Sequence, residues 1–185
     1  MITPTYCFIG CEEDLEDLWE NTKSVGESVK VRGMDTYEIC DIILHVSKEA
    51  DLSNRIKLPF ANMRLKHIIH KVEFELNNCI NLLRAEPTSR RARILEADYH
   101  PYNIACIQSV QFLIRQGKLE VKLFLRASDL QGVLPYDIYA TRGLQDIVLK
   151  KLNEKTGTCR LVKLEKGDLT AFISSAHIYH DVIKE

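Results

Sequence analysis

Residues 124–137, FLRASDLQGVLPYD, place a cation and two carboxylates on one short connection between a hydrophobic strand and a helix. Two small residues separate Arg126 from Asp129, and Asp137 directly follows the turn-forming residues 134–136. A guanidinium binds phosphate or carboxylate groups bidentately, and a carboxylate accepts hydrogen bonds or, when protonated, donates one. These side chains can therefore bind a polar ligand, although an aspartate at such a position can equally start a turn or cap a helix.

Further reactive or polar residues stand at the ends or turns of predicted strands: Arg90, Arg91, Cys106, Gln111, His177 and Tyr179. Each has an ordinary structural interpretation. A cysteine in an apolar strand is usually a small core residue, and adjacent arginines can form a solvated turn. His177 and Tyr179, two residues apart on one face of a strand, can be core residues whose hydrogen bonds are made within the protein. Order and spacing along the chain have to distinguish these alternatives.

Composition limits the class of protein. The chain has 185 residues and a net charge of −1, which predicts a single domain over residues 1–185 and gives no basic field for nucleic acid. No apolar run approaches the length of a membrane span, and the first residues lack a secretory signal. We therefore expect a cytoplasmic protein with free thiols. The scattered cysteines predict no metal site.

The elements that position these residues follow from the periodicity of apolar residues. Residues 12–25 and 68–85 have helical spacing, and a third helix is predicted after Pro135, with a stop at Gly157. Residues 50–62 are predicted to form a polar connector.

Alternating residues predict the strands. The clearest case is a hairpin over residues 106–126 around Gln116-Gly117. Further strands are predicted at 28–46, with a bend at Gly33, at 92–97, and at 158–165 and 169–183 around a turn Lys166-Gly167-Asp168. The sequence therefore predicts one α+β domain with a large mixed β-sheet flanked by helices.

The motif series resembles the thymidylate synthases and their relatives, the deoxycytidylate and cytidylate hydroxymethylases. The matching motifs are EPTSRR at 86–91, Cys106 five residues before Gln111-Phe112, the turn Gly117-Lys118, Arg126-x-x-Asp129, Pro135-Tyr136-Asp137, Gly167-Asp168 and His177-x-Tyr179. A looser match places Arg32, in VKVRGMDTYEI, like the family's N-terminal phosphate-binding arginine. The resemblance is dense over 86–140 and 167–180, and it implies a thymidylate-synthase-like single domain.

The resemblance implies transfer of a one-carbon unit to C5 of a pyrimidine nucleotide. Cys106 would be the nucleophile, because a thiolate that adds to C6 makes C5 able to attack a one-carbon donor. Arg126 would favour the thiolate. Asp129 would hold the pterin ring of 5,10-methylenetetrahydrofolate, or of a related pterin, and would assist proton transfer.

The resemblance also implies how a pyrimidine nucleoside monophosphate would be bound. The phosphate ligands would be Arg32, Arg90, Arg91 and Arg126. Among them, Arg90 and Arg91 would reach across a homodimer interface into the partner's site. Gln111 would contact the base, and His177 and Tyr179 would bond the sugar hydroxyl.

Asp137 stands where thymidylate synthases have asparagine. The asparagine amide donates and accepts, which suits O4 and N3–H of uracil, whereas cytosine offers an amine donor and an N3 acceptor. A carboxylate accepts from the amine and, if protonated, can donate to N3. Asp137 therefore favours a (deoxy)cytidylate hydroxymethylase over a thymidylate synthase acting on dUMP, and the alternative role for Asp137 is a helix cap.

Departures from the family pattern leave two further alternatives. The segment HIIHK at 67–71 puts Lys71 at the family's catalytic glutamate, with Glu73 and Glu75 as nearby substitutes, and the middle block around the folate has no match. The sequence therefore supports nucleotide binding more strongly than folate binding. A nucleotide-binding homologue with little or no activity and an unrelated α+β module both remain open.

Overall fold

The computed structural model describes residues 5–31, 33–95, 106–154 and 163–180. The first strand, β1 (Thr5–Ile9), leads into helix α1 (Glu12–Val25), with the bounds predicted from its apolar spacing. Leu15 and Leu18 bury the inner face of α1. The helix stops at Gly26, where an added Cβ would lie 2.4 Å from the carbonyl oxygen of Thr22, so the chain can leave the helix there only without a side chain.

The predicted extended segment forms the hairpin of β2 (Glu27–Val31) and β3 (Met34–Val46). Gly33 turns the chain with φ at +85°, a conformation that costs glycine no steric strain. Strand β3 also pairs in parallel with β1 and antiparallel with the last strand. The bend predicted at Gly33 is therefore confirmed.

Helix α2 (Leu58–Ala85) begins earlier than the sequence analysis predicted. The predicted connector 50–62 contains one 3-10 turn, Ser53–Arg55, and then the first turn of α2. Pro59 stands in the first turn, where the missing N–H costs nothing and the fixed φ suits a helix. The connector prediction was therefore wrong at its C-terminal end, because the proline starts the helix.

The predicted central hairpin is confirmed. The short strand β4 (Arg93–Leu95) pairs with β5 (Ile107–Arg115), which pairs with β6 (Lys118–Leu125). Gln116 and Gly117 both have positive φ, at 51° and 75°, as the tight turn of a two-residue hairpin requires. Along β6 buried residues alternate with half-buried ones, so one face of the hairpin packs against the core.

The C-terminal elements are β7 (Ser128–Asp129), α3 (Leu134–Asn153) and β8 (Glu165–Tyr179). Helix α3 ends at Asn153, before the predicted stop at Gly157, which lies outside the described residues together with 158–162. The turn predicted at Lys166-Gly167-Asp168 was wrong, because β8 continues through it. An added Cβ at Gly167 would lie 2.9 Å from the carbonyl oxygen of Leu119. Glycine is needed there for close strand approach at a register shift of the β6–β8 pair.

The strands form one mixed eight-stranded sheet in the order β1-β3-β8-β6-β5-β4, with β2 on β3 and β7 on β8. Alternate residues of the central strands and the inner faces of the helices make a continuous core, including Ile42, Leu44, Leu76, Leu83, Phe112, Val121, Leu123, Leu144, Val148 and Ala171. The predicted fold class, α+β with a large mixed sheet, is confirmed. No helix of the described residues is long and apolar enough to cross a membrane.

Candidate functional site

Backbone pairing puts several of the predicted site residues at the same end of the central strands of the sheet. Strand β5 starts directly after Cys106, and the parallel strands β6 and β8 run toward that same edge. The backbone N–H of Arg126 donates to the carbonyl oxygen of Cys106 at 3.0 Å. We call this end of the sheet, with Cys106, Arg126, Asp129 and His177, the cysteine edge.

Asp129 joins the cysteine edge through β7. The pairing of β7 with β8 puts Asp129 opposite His177, and the N–H of Leu130 donates to the carbonyl oxygen of His177 at 3.0 Å. The Oδ1 atom of Asp129 accepts from the backbone N–H groups of Gln131 and Gly132, at 3.1 and 3.0 Å. These bonds orient the carboxylate and start a turn. Asp129 therefore has a structural role in addition to its position at the cysteine edge.

His177 and Tyr179 lie on the face of β8 that points away from the core. Buried residues of β8 are odd-numbered up to Ile173 and even-numbered from Ala176, which turns both rings outward. The rings contact edge to face, with centroids 5.3 Å apart. Burial lowers the pKa of His177, although the carboxylates of Asp129 and Glu38 act in the opposite direction. A neutral imidazole can both donate and accept one hydrogen bond.

Asp137 is fully buried in the first turn of α3. The N-cap position of this helix is Val133, where no side chain makes a capping bond, so the interpretation of Asp137 as the helix cap was wrong. A guanidinium nitrogen of Arg64 instead forms an ion pair with its Oδ1 atom. Arg64 was missed by the sequence analysis because it precedes the predicted start of α2, and Pro59 was the signal that could have placed it on a helix.

Gln111, Arg90 and Arg91 lie away from the cysteine edge of their own chain. The amide of Gln111 donates to the carbonyl oxygen of Arg90 at 2.7 Å. Gln111 stands five residues along the chain from Cys106, roughly 16 Å at the rise of a strand. Arg91 is 74 % exposed and pairs with Glu86 at 2.7 Å. Within one chain, one of the two predicted base ligands, Gln111, and two predicted phosphate ligands therefore form a separate cluster, which we call the arginine turn.

The remaining predicted positions are that of Arg32 and that of the family's catalytic glutamate. Arg32 lies outside the described residues. Lys71, at the family's glutamate position, is exposed on α2, as is Glu73, whereas Glu75 is half-buried. No group of three or more His, Cys, Asp or Glu side chains that could hold a metal ion occurs in the described ranges.

A cavity of about 460 Å³ lies between the segment before α2 and the outer face of α3. Its walls include Leu52, Leu65, Tyr139 and Arg142. Arg142 closes one side by donating to the carbonyl oxygens of Val46, Ser47 and Gly167, at 2.8 to 2.9 Å. None of the four residues of the cysteine edge lines this cavity.

Comparison with known proteins identifies the family in which this spacing of residues occurs. The family model described as "Thymidylate synthase" matches residues 65–185. The chain belongs to the thymidylate synthase family. The matched region contains the whole cysteine edge and the arginine turn, whereas Arg32 lies outside it.

Three archaeal relatives, each named "Putative thymidylate synthase", extend the comparison. The Methanosarcina barkeri protein is 32 % identical over 123 residues, which are 64 % of this chain and 52 % of the relative. The Methanosarcina acetivorans protein is 29 % identical over 123 residues, with the same coverage. The Methanosarcina mazei protein is 30 % identical over 112 residues, covering 58 % of this chain and 47 % of the relative. The matches span about half the length of these relatives.

Proposed function

We propose that this member of the family transfers a one-carbon unit to C5 of a pyrimidine nucleotide and acts as a (deoxy)cytidylate hydroxymethylase. The observation that carries the proposal is the cysteine edge. Cys106, the pair Arg126 and Asp129, and His177 come from three separate segments, in the order of the family motifs, and the pairing of β5, β6, β7 and β8 brings them to one end of the sheet.

Cys106 is the proposed nucleophile. Its thiolate forms a bond to C6, and the electron pair of the C5–C6 double bond moves to C5, which then attacks the one-carbon donor. Loss of the C5 proton would release the amine of the donor and leave a methylene group at C5, and water would add to that methylene to supply the hydroxyl. Departure of the thiolate from C6 would then restore the C5–C6 double bond. The main chain of Arg126 is bonded to that of Cys106, so the proposed nucleophile and this proposed phosphate ligand belong to the same end of the sheet.

The proposed donor is 5,10-methylenetetrahydrofolate, which supplies the one-carbon unit when bound. The residue that would hold its pterin ring is Asp129. The ring presents N–H donors, and Asp129 offers a half-buried carboxylate whose orientation two backbone bonds hold. A carboxylate that accepts hydrogen bonds at this position therefore fits the N–H groups of the pterin ring. Lys71 does not supply the carboxylate that the family uses for proton handling, and Glu75 is the half-buried acid nearest to it in the chain.

We propose that a second copy of the chain completes the site. The outward face of the sheet carries Tyr6 and Phe8, 72 % and 59 % exposed, and stacked Phe124 and Phe172 rings with centroids 4.9 Å apart. Such a face suits a self-complementary two-fold interface. The distance of the arginine turn from Cys106 within one chain also supports phosphate contacts from Arg90 and Arg91 to the partner's nucleotide.

The remaining contacts concern the sugar and the base. His177 and Tyr179 would bond a sugar hydroxyl, and Asp137 would accept from the exocyclic amine of cytosine.

A thymidylate synthase acting on dUMP is the alternative within the same chemistry. A nucleotide-binding homologue with little transfer activity is the second candidate, and the observation that favours it is Lys71 at the position of the catalytic glutamate.

Incubation of the chain with each pyrimidine monophosphate and methylenetetrahydrofolate, followed by mass spectrometry of the nucleotide, tests the proposal. We expect a hydroxymethylated cytidylate. A 5-fluoro analogue with the donor should leave an adduct on Cys106 that survives Cys79→Ser and disappears in Cys106→Ser. Nucleotide binding without any adduct would support the binding homologue instead, and an adduct that persists in Cys106→Ser would refute the mechanism.

A further inference from the structure

A glutamate of β3 lies beside the proposed sugar ligands. Glu38 stands directly opposite His177 of β8 in the antiparallel register. Side chains that oppose each other in such a pair lie on the same face of the sheet, so Glu38 shares the outward face with His177. On the other side of His177, β7 places Asp129. The row Glu38–His177–Asp129 therefore crosses three strands, and the proposed function uses His177 and Asp129 but not Glu38.

An irregularity in the backbone of β3 puts Glu38 on this face. Asp41 has φ at 58°, a left-handed conformation that few residues other than glycine adopt. Ile39, before Asp41, packs against the core, and so do Ile42 and Leu44 after it. Because side chains alternate along a regular strand, Asp41 must reverse the alternation, which turns Glu38 outward. Backbone strain of this kind concentrates at functional sites.

The carboxylate of Glu38 is oriented and still has an oxygen for a ligand. The hydroxyl of Ser175, on the neighbouring strand, donates to its Oε1 atom. Within the described part of the chain, Glu38 accepts no other side-chain hydrogen bond, and its Oε2 atom is not among the buried polar atoms that lack a partner. Since the residue is half-buried, Oε2 reaches solvent on the face that carries His177. It is an acceptor and cannot donate while the group is ionised.

We infer that Glu38 is a sugar-binding residue that accepts a hydrogen bond from the 2′-hydroxyl of the nucleotide, so that the substrate is a ribonucleotide. This inference rests on the proposed function, in which His177 and Tyr179 bond a sugar hydroxyl. Opposed side chains have Cβ atoms about 5 Å apart, near enough for one sugar to contact both His177 and Glu38. Ribose carries its 2′- and 3′-hydroxyls on adjacent carbons and on one face of the ring. A sugar held at the 3′-hydroxyl can therefore donate from the 2′-hydroxyl to Glu38, whereas deoxyribose has no donor there.

Cytidine monophosphates that differ only at the 2′ position test the inference by calorimetric titration into the wild-type chain. CMP should bind about tenfold more tightly than dCMP, because dCMP loses a hydrogen bond to a charged acceptor. The 2′-deoxy-2′-fluoro analogue keeps the sugar pucker of ribose without a donor, and the arabinosyl analogue carries its hydroxyl on the opposite face. Both should bind like dCMP. The ratio between UMP and dUMP should match that between CMP and dCMP, because Glu38 does not contact the base.

Variants of two glutamates separate this contact from a structural effect. Glu38→Ala should weaken CMP binding and leave dCMP binding unchanged, which brings the ratio to about one. Glu38→Gln keeps the shape and a neutral acceptor, so the ratio should fall to about threefold. Glu27 is the matched control, because it opposes Glu38 on β2, on the side away from His177. Glu27→Ala should retain the wild-type ratio.

The outcomes distinguish the inference from the proposed function. A wild-type ratio in folded Glu38→Ala, or binding of the 2′-fluoro analogue as tight as that of CMP, would overturn the inference and leave the proposed function intact. Equal binding of CMP and dCMP by the wild-type chain would do the same. Failure to bind any pyrimidine nucleotide would overturn both. If Glu38→Ala does not fold, Glu38→Gln and the wild-type analogue series decide by the same criteria.

Discussion

Asp129 and His177 face each other where β7 pairs with β8, yet the nearby carboxylate does not keep the imidazole protonated. Burial lowers the pKa of His177 by more than the carboxylates of Asp129 and Glu38 raise it. His177 is therefore neutral at neutral pH. In that state it can donate to one group and accept from another, which suits the sugar hydroxyl assigned to it in the proposed function.

The lowered pKa of His177 predicts how stability depends on pH. The unfolded chain takes up a proton near pH 6.5, whereas folded His177 takes it up only at lower pH, so stability should fall as the pH falls through this window. In His177→Asn the fall in melting temperature between pH 7.5 and pH 5.5 should be smaller. His67→Asn, which removes an exposed histidine of α2, should leave the slope unchanged. Equal slopes in wild type and His177→Asn would contradict the prediction.

Arg142 is expected to be a major structural residue outside the cysteine edge. It is half-buried and donates to three backbone carbonyl groups and to Oε1 of Gln145. Arg142→Met should lower the free energy of unfolding by about 3 kcal/mol, because buried acceptors lose a charged donor. Arg84→Met, which removes a single bond to the carbonyl oxygen of Lys151, should cost about 1 kcal/mol or less. Urea denaturation of both variants measures the difference.

The buried cysteine of α2 should be inert to alkylation in the folded protein. Burial and the nearby Glu75 raise the pKa of Cys79 to about 11, so its thiolate fraction at pH 7.5 is roughly one in three thousand. Peptide mass spectrometry after timed iodoacetamide treatment should find Cys79 unmodified until the protein unfolds. Cys106 should react in the folded state, and a bound pyrimidine nucleotide should slow that reaction. Early modification of Cys79 would show that α2 opens in the native state.

The shared site predicts complementation between two inactive variants. Cys106→Ser removes the nucleophile, and Arg90→Ala combined with Arg91→Ala removes the phosphate contacts supplied to the partner. A heterodimer of the two would contain one intact site, so refolding an equal mixture should restore about one quarter of wild-type activity. Each variant refolded alone is the control. Absence of any recovery, with dimers shown by sedimentation, would contradict the shared site.

The sequence by itself determined the features that depend on neighbouring residues. Helix α1 has its predicted bounds because apolar spacing and Gly26 act locally. The central hairpin follows from alternation and from the turn at Gln116-Gly117. The order and spacing of the motifs were sufficient to identify the family, because those spacings are properties of the chain and do not depend on how it packs.

Tertiary structure decided the features in which distant segments meet. Whether Gly167 forms a turn or a close strand contact depends on the carbonyl oxygen of Leu119, which reaches it through the β6–β8 pairing. The separation of the arginine turn from Cys106 follows from the direction of β5. One partner of Asp137 is Arg64, 73 residues earlier in the chain. Burial and a paired charge together set the ionisation of a carboxylate, and both arise only when α2 and α3 pack together.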